Sequence, residues 1–337
     1  KEATLEQILA VASAEEPRPT APLCSPAHRL SSGHTRAFIK IQDGCDNRCA
    51  YCIGTIARGP SRSYPPARIL DEIARRLAEG YQEIVLTGVN IGAYGRDVGD
   101  AAPLPMSAGW SLSRLVQTIL DQTTVPRLRL SSIEPWDVSP DLLALWADRR
   151  LCRHLHLPLQ SGCDDTLRRM KRHYTTEQFE TLIEGVRRGI PEVSITTDVI
   201  VGFPGETEGE FERSLAFIER VAFSRIHVFK YSRRPATLAA DMPDQVNPQV
   251  AQSRSERVIA LGHRLAQGFH ERFVGTELRV LCEAAREGQG VPLWNGLTDT
   301  YIRVVVPSIQ DLANRFVTVR CRAAEEKGLQ GELVRLD

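Results

Sequence analysis

The sequence has no apolar run approaching the roughly 18 residues that a membrane-spanning helix needs, so a helical membrane protein is excluded. Nor does it open with the charged-then-apolar segment of an export signal. Its eight cysteines are therefore expected in a reducing cytoplasm, where thiols bind metals or simply pack. Net charge is missing too: 42 Lys and Arg balance 42 Asp and Glu, so composition alone gives no pull toward nucleic acid. Any RNA site must come from local patches. There is no low-complexity segment and no internal repeat beyond strand–helix units. The chain starts at Lys1 and not at Met, which suits a piece of a longer protein. What remains is ordinary for a globular chain of 337 residues, 42% hydrophobic and 25% charged, with room for two domains.

One stretch is not ordinary. Cys45-Asp46-Asn47-Arg48-Cys49-Ala50-Tyr51-Cys52 places three thiols at C-x3-C-x2-C spacing, after the alternating run Phe38-Ile39-Lys40-Ile41 that reads as a strand. Three thiolates this close can grip one metal centre. A structural zinc wants four ligands, and a closed iron–sulfur cubane is usually held by four cysteines. With only three, one iron of a [4Fe–4S] cluster stays open to a small molecule. A disulfide does not suit three cysteines, and inert buried thiols do not suit a loop as polar as Asp46-Asn47-Arg48. A zinc knuckle borrowing a distant fourth ligand stays open at this point.

Residues 1–9 read as a short helix, and 15–36, with four prolines and Gly33, as a linker in which Cys24 is an incidental thiol. From Ala37 strands alternate with amphipathic helices, the pattern of a parallel α/β fold. Strands are expected at 37–42, 83–88, 127–133, 154–159, 194–201 and 225–231, with helices at 66–79, 111–122, 139–148, 164–171, 175–188 and 207–221. Six repeats are too few for an eight-fold barrel of about 250 residues, so an open (β/α)6 partial TIM barrel is expected. Each strand runs from apolar residues into Gly, polar or charged ones at the same end, which puts a built site on one rim. A helix over 248–271, with Val250, Val258, Leu261 and Leu265 on or near one face, leads into alternating strands at 278–281, 301–305 and 316–320. These read as a small C-terminal β-barrel. The expected division is 1–35 linker or remnant, 36–247 partial barrel, 248–271 connecting helix and 272–337 terminal barrel.

Several runs together resemble one family, the radical S-adenosylmethionine (SAM) methylthiotransferases. They are His34-Thr35-Arg36-Ala37-Phe38, Gln42-Asp43-Gly44-Cys45, Leu86-Thr87-Gly88-Val89-Asn90, Ser131-Ser132-Ile133-Glu134-Pro135-Trp136-Asp137, and the stretches 154–162 and 197–207. The resemblance runs from about residue 34 to the C-terminus. The stretches 131–137 and 151–156 favour the branch that methylthiolates carbon 2 of N6-threonylcarbamoyladenosine at position 37 of tRNA. The isopentenyladenosine and ribosomal-protein branches are favoured less. The resemblance implies a cytoplasmic transferase with a radical SAM core and a terminal TRAM-like RNA-binding barrel. It implies a [4Fe–4S] cluster on Cys45, Cys49 and Cys52, and SAM cleaved to a 5′-deoxyadenosyl radical, with no side chain assigned as catalytic. It also implies tRNA, through its anticodon loop, and an electron donor such as flavodoxin or ferredoxin as partners; the sulfur donor stays unknown.

By the same resemblance, Tyr51 lies near the SAM adenine, with plain packing as the alternative. Gly88 and Asn90 serve the SAM amino group, and Glu134, Gln160 and Ser161 its ribose or carboxylate. Asp198 is a structural hydrogen-bonder, and His154 and His156 are interior histidines, not metal ligands. The family also carries an N-terminal domain with three more cysteines and a second cluster. That domain has no counterpart here, so SAM cleavage without methylthio product is expected. A smaller departure is Arg234-Pro235-Ala236-Thr237, where the family has Gly before Thr.

Three basic groups are expected to grip phosphate: Arg58, Arg62 and Arg68; Arg168, Arg169, Lys171 and Arg172; and Arg233 with Arg234. In the terminal barrel, Tyr301 is expected to stack bases, and the barrel to be removable without loss of SAM cleavage. Two other readings stand beside this one. One is a methylthiotransferase of a ribosomal-protein aspartate; the other is a non-catalytic RNA-binding protein with a structural metal.

Overall fold

The computed structural model describes residues 35–97, 109–287 and 290–337. The helix expected at 1–9, Cys24 and the linker up to His34 lie outside those residues. In chain order the strands of the first part are β1 (Arg36–Lys40), β2 (Gln42–Asp43), β3 (Arg62–Ser63), β4 (Glu83–Thr87), β5 (Leu128–Leu130), β6 (His154–His156), β7 (Ser194–Val201) and β8 (Arg225–Lys230). The second part holds β9 (Glu277–Arg286), β10 (Leu293–Thr298), β11 (Arg303–Pro307), β12 (Phe316–Glu325) and β13 (Gly328–Leu336).

Six of these run parallel, in the orders β1-β4-β5 and β6-β7-β8. Bridges Leu128–Leu151 and Ser132–His156 join the two sets, so one curved sheet runs from β1 to β8 and stays open between those edges. This is the expected (β/α)6 architecture. Helices cover its outer face. Pro66–Ala78 buries Ile69 and Ile73, and Leu112–Gln122 buries Leu115, Val116 and Ile119. Helices Thr176–Gly189 and Glu208–Val221 each start with a capping box, Thr175 with Gln178 and Thr207 with Glu210. The helix expected over 139–148 is shorter, Pro140–Ala144, and tightens into a 3-10 turn at Leu145–Ala147. On the long helix Pro248–Glu271, Val258 and Leu261 are buried, whereas Val250 is exposed.

The C-terminal strands close into a five-stranded barrel, β10-β11-β13-β12-β9, around Val280, Val304, Val306, Val317 and Val319. Two of its strands were not expected from sequence. Asn295-Gly296 reads as a turn, yet it lies within β10 at a bulge, where a Cβ on Gly296 would come within 2.5 Å of Val280 Cγ1. In β13, Gly331 similarly leaves room for Val319.

This barrel sits on the N-terminal ends of the core strands. Glu83, at the start of β4, takes Arg127 Nε at 2.5 Å and Arg129 Nε at 2.7 Å. The same guanidinium groups donate to the terminal barrel: Arg127 to Leu297 O at 3.0 Å, Arg129 to Thr298 O at 3.0 Å and Asp299 O at 3.1 Å. Arg153 pairs with Asp299 at 2.7 Å, and Arg36 with Glu283 at 3.0 Å. The expectation for Tyr301 is corrected here. It is not a strand residue offered to RNA but sits in a left-handed turn (φ 65°), half-buried, with its ring 4.7 Å from that of His154. Arg36 and Arg129 lie over the same ring. The terminal barrel is thus a plug in the core, not a detachable module.

Candidate metal centre

The opposite, C-terminal ends of the strands carry the cysteine loop. Its entry is fixed by backbone geometry. Gly44 has φ 73°, and a Cβ there would lie 1.9 Å from Pro60 O, so only glycine fits. Gln42, in β2, ties the entry to its neighbours. Its amide Nε2 donates to Asp43 O, Gly44 O and Ser61 Oγ, while its Oε1 accepts Asn90 N–H at 2.8 Å. Gly88 is pressed against the same strand, its absent Cβ 2.7 Å from Gln42 O. Farther along, Ala50 N–H donates to Met170 O, and Ala50 O accepts Ala239 N–H. Sequence reasoning quoted Gln42 within a motif but gave it no role, since a buried multi-bonded amide looks like any other Gln in one dimension.

Each thiol has a donor aimed at it. Asn47 N–H points at Cys45 Sγ (3.4 Å), Arg172 Nη1 at Cys49 Sγ (3.4 Å) and Gly54 N–H at Cys52 Sγ (3.3 Å). Such donors are what a cluster's thiolates use to set its potential. The three sulfurs do not all lie within 4.8 Å of one another. A single ion would draw them closer, whereas a four-iron cubane spreads its ligands apart. The donor set therefore fits a [4Fe–4S] cluster better than zinc. Burial pushes the Cys45 and Cys49 thiols up, for Cys49 in spite of Arg172, so a metal's charge is needed to ionise them fully.

Arg172 corrects the sequence reading most clearly. It is not a phosphate contact: its side chain is 1% exposed and pairs through both nitrogens with Glu134. Its guanidinium lies 4.8 Å from the centre of the Trp136 ring and 5.2 Å from that of Tyr174. Glu134 is accordingly held by Arg172. Around the same mouth, buried polar atoms lack protein partners: Asn90 Oδ1 after β4, Ser131 Oγ after β5, Tyr231 Oη after β8, and Asn47 Nδ2 in the cysteine loop. Buried polar groups are nearly always paired, so this cluster of orphans marks a place for a polar ligand. Asn90 Oδ1 is an acceptor, as an ammonium group requires.

Other expected site residues fall out differently. Tyr51 packs edge-on against Phe203, the packing alternative. Gln160 is buried in a left-handed conformation (φ 66°), with its N–H on Asp198 O, while Ser161 Oγ accepts Cys163 N–H. Arg169 is bidentate with Glu210, and Arg168 pairs with exposed Asp165. Arg58 and Arg62 lean on Asp43 at 3.5 and 3.9 Å, and Arg68 lies over the Tyr64 ring. Arg233 is exposed. The basic groups thus do not form one bare rim. Inside the barrel, Asp198 stands between His156 Nε2 (3.3 Å) and His227 Nδ1 (3.4 Å); burial pushes its carboxyl up, and the two imidazoles more than reverse that.

The profile of the radical SAM superfamily matches residues 39–218. Threonylcarbamoyladenosine tRNA methylthiotransferase MtaB of Bacillus subtilis is 37% identical over 306 residues, which cover 90% of this chain and 66% of that protein. The MtaB protein of Thermotoga maritima is 37% identical, covering 88% and 65%. tRNA-2-methylthio-N(6)-dimethylallyladenosine synthase of Syntrophotalea carbinolica is 38% identical, covering 91% and 68%. The chain spans about two thirds of the length of these relatives. No described helix is long and apolar enough to cross a membrane.

Proposed function

The chain belongs to the radical SAM methylthiotransferase family, and we propose that it is the SAM-cleaving part of an enzyme that methylthiolates adenosine 37 of tRNA at carbon 2, with N6-threonylcarbamoyladenosine as substrate. The observation that carries the first half is the trio Cys45, Cys49 and Cys52, each with a donor at its sulfur, among orphaned polar atoms at the strand ends. A bound [4Fe–4S] cluster and SAM supply the homolytic chemistry that an unactivated C–H bond demands. The chain's own residues hold and insulate them. Arg172 steadies Cys49 and Glu134 together, Gln42 sets the cysteine loop against the loop of Asn90, and Asn90 Oδ1 offers an acceptor for an ammonium group. Reduction would come from a donor such as flavodoxin or ferredoxin, in the cytoplasm.

Relatives named for two different adenosine substituents match about equally, so identity does not choose the substrate. The threonylcarbamoyl reading is supported by the chamber below the mouth. Arg36, Arg225 and His227 line a cavity of about 470 Å³ there. Cations suit a substituent bearing a carboxylate better than a dimethylallyl group. Anaerobic reconstitution should give about four irons and four sulfides per chain. Zinc without sulfide would favour a structural metal instead. Nucleoside mass spectrometry then tests the substrate. With an N-terminal auxiliary-cluster domain joined to the chain, 2-methylthio-threonylcarbamoyladenosine is expected; the chain alone should cleave SAM without that product. Methylthiolated isopentenyladenosine in its place overturns the substrate assignment.

A further inference from the structure

The lumen between the two ends of the core strands follows from strand alternation. Residues whose neighbours pack outward under the helices must face inward. In β1, Ala37 and Ile39 belong to the outer core, so Arg36, Phe38 and Lys40 face the lumen. In β8, Ile226 and Val228 pack on that core, so Arg225, His227 and Phe229 face it. β1 and β8 are the two free edges of the open sheet, and the cavity under them is lined from both.

Phe38 and Phe229 are 48% and 50% exposed. Each stands one side-chain layer above a basic residue, Phe38 above Arg36 and Phe229 above His227. Isolated exposed aromatics need no explanation, but these two occupy opposite edges of one chamber, with the cysteine mouth above and polar groups below. An apolar occupant would satisfy the rings and strand the polar groups; a charged one would do the reverse. A flat ring with polar edges satisfies both. Enzymes that act on a nucleobase take it out of its stack and hold it between apolar side chains, reading its edge by hydrogen bonds.

We propose that the target adenosine is flipped into this lumen, with its ring against Phe38 and Phe229. Its C2 edge faces the cysteine mouth, and its N6 substituent faces His227, Asp198 and Arg36. This rests on the tRNA reading given above.

The probe is an anticodon stem-loop RNA carrying 2-aminopurine at position 37, bound to the cluster-loaded full chain with SAM. Protein is set to saturate an end-labelled copy of the RNA by anisotropy. Fluorescence should rise as the base leaves the loop's stack. In the Phe38→Ala/Phe229→Ala variant the rise at saturation should shrink about threefold or more, since base–aromatic stacking is strong. A 2-aminopurine placed in the stem should not respond to the variant. Both side chains are half exposed, so the variant should keep its cluster absorbance, which is measured alongside. His227→Gln should remove any preference for threonylcarbamoylated over unmodified RNA. An undiminished rise in the double variant, or no rise in the parent despite bound RNA, overturns the chamber and leaves the tRNA reading standing. Absence of RNA binding overturns both.

Discussion

The two ends of the same six strands carry charge in opposite ways. At the N-terminal end, Glu83, Arg127 and Arg129 are buried, bonded to one another and to backbone carbonyls of the terminal barrel. At the C-terminal end, Cys52 is exposed, the other two cluster thiols are half-buried, and Asn90, Ser131 and Tyr231 have polar atoms without partners. Charge that the protein satisfies for itself builds structure. Polar groups it leaves unsatisfied, in a mouth braced by Gln42 and Arg172, wait for ligands. The contrast separates binding groups from structural ones where residue type alone cannot, since both ends contain Arg and Glu.

The strongest break in this comparison is at the open end. Cys49→Ala should abolish cluster absorbance and lower SAM cleavage by more than about 100-fold, because loss even of a ligand's partner typically costs about 10–100-fold. Its circular dichroism and urea midpoint before reconstitution should match the parent, since the thiol closes no disulfide. Cleavage at the parent rate would remove the cysteine trio from the site.

At the closed end the same test should strike stability instead. Glu83→Gln leaves Arg127 and Arg129 as uncompensated buried charges and should cost about 3–5 kcal/mol in urea unfolding. The pH dependence has a definite sign. Burial pushes the Glu83 carboxyl up, but Arg129 and Arg127 outweigh it and hold it at about 2, against 4.5 for the unperturbed group. A folded pKa below the unfolded one stabilises fully above about 4.5 and loses that contribution as pH falls toward 2. The variant should lack this segment of the acid profile. The same contacts overturn the expectation that residues 272–337 can be removed harmlessly. Without them Arg127 and Arg129 lose their backbone acceptors, and the truncated core should unfold at lower urea.

A sharper test concerns the residue that bridges charge and thiol. Arg172→Met removes the partner of Glu134 and the donor to Cys49 while keeping much of the side-chain volume between Trp136 and Tyr174. SAM cleavage should fall about 10–100-fold with the cluster still formed. A change of less than about twofold would reduce Arg172 to a packing role.

How far the sequence reached follows the same division. The strand–helix alternation and the cysteine loop were legible because both are local patterns, as was the polar ending of each core strand. The plug was not, because it depends on pairings such as Arg129 with Thr298 that lie far apart in the chain. Arg172 was grouped with Arg168 and Arg169 by proximity. Yet the helix Asp164–Arg169 has ended before it, and Lys171 takes a left-handed conformation (φ 56°) as the chain turns inward. Phe38 and Phe229 were hidden for another reason. Alternation assigns them a face, but only the open edge of the sheet shows that this face is uncovered.

The smallest expected effect lies where this sequence departs from its family. Ala236 stands where the family has Gly, and it nonetheless adopts φ 66°. The turn is kept because Thr237 Oγ1 donates to Arg234 O at 2.7 Å, and Ala239 N–H, two residues on, donates to Ala50 O in the cysteine loop. Left-handed backbone costs a non-glycine residue about 1–2 kcal/mol. Glycine relieves that strain but gives back part of it through the greater freedom of the unfolded chain. Ala236→Gly should therefore stabilise the protein by about 0.5–1 kcal/mol, a rise of about 1–4 °C in Tm. Because the turn is bonded to the cysteine loop, the variant should also hold its cluster at least as long under air, followed by visible absorbance. A lower Tm would mean that the neighbouring bonds already absorb the strain and that glycine adds only unfolded-state entropy.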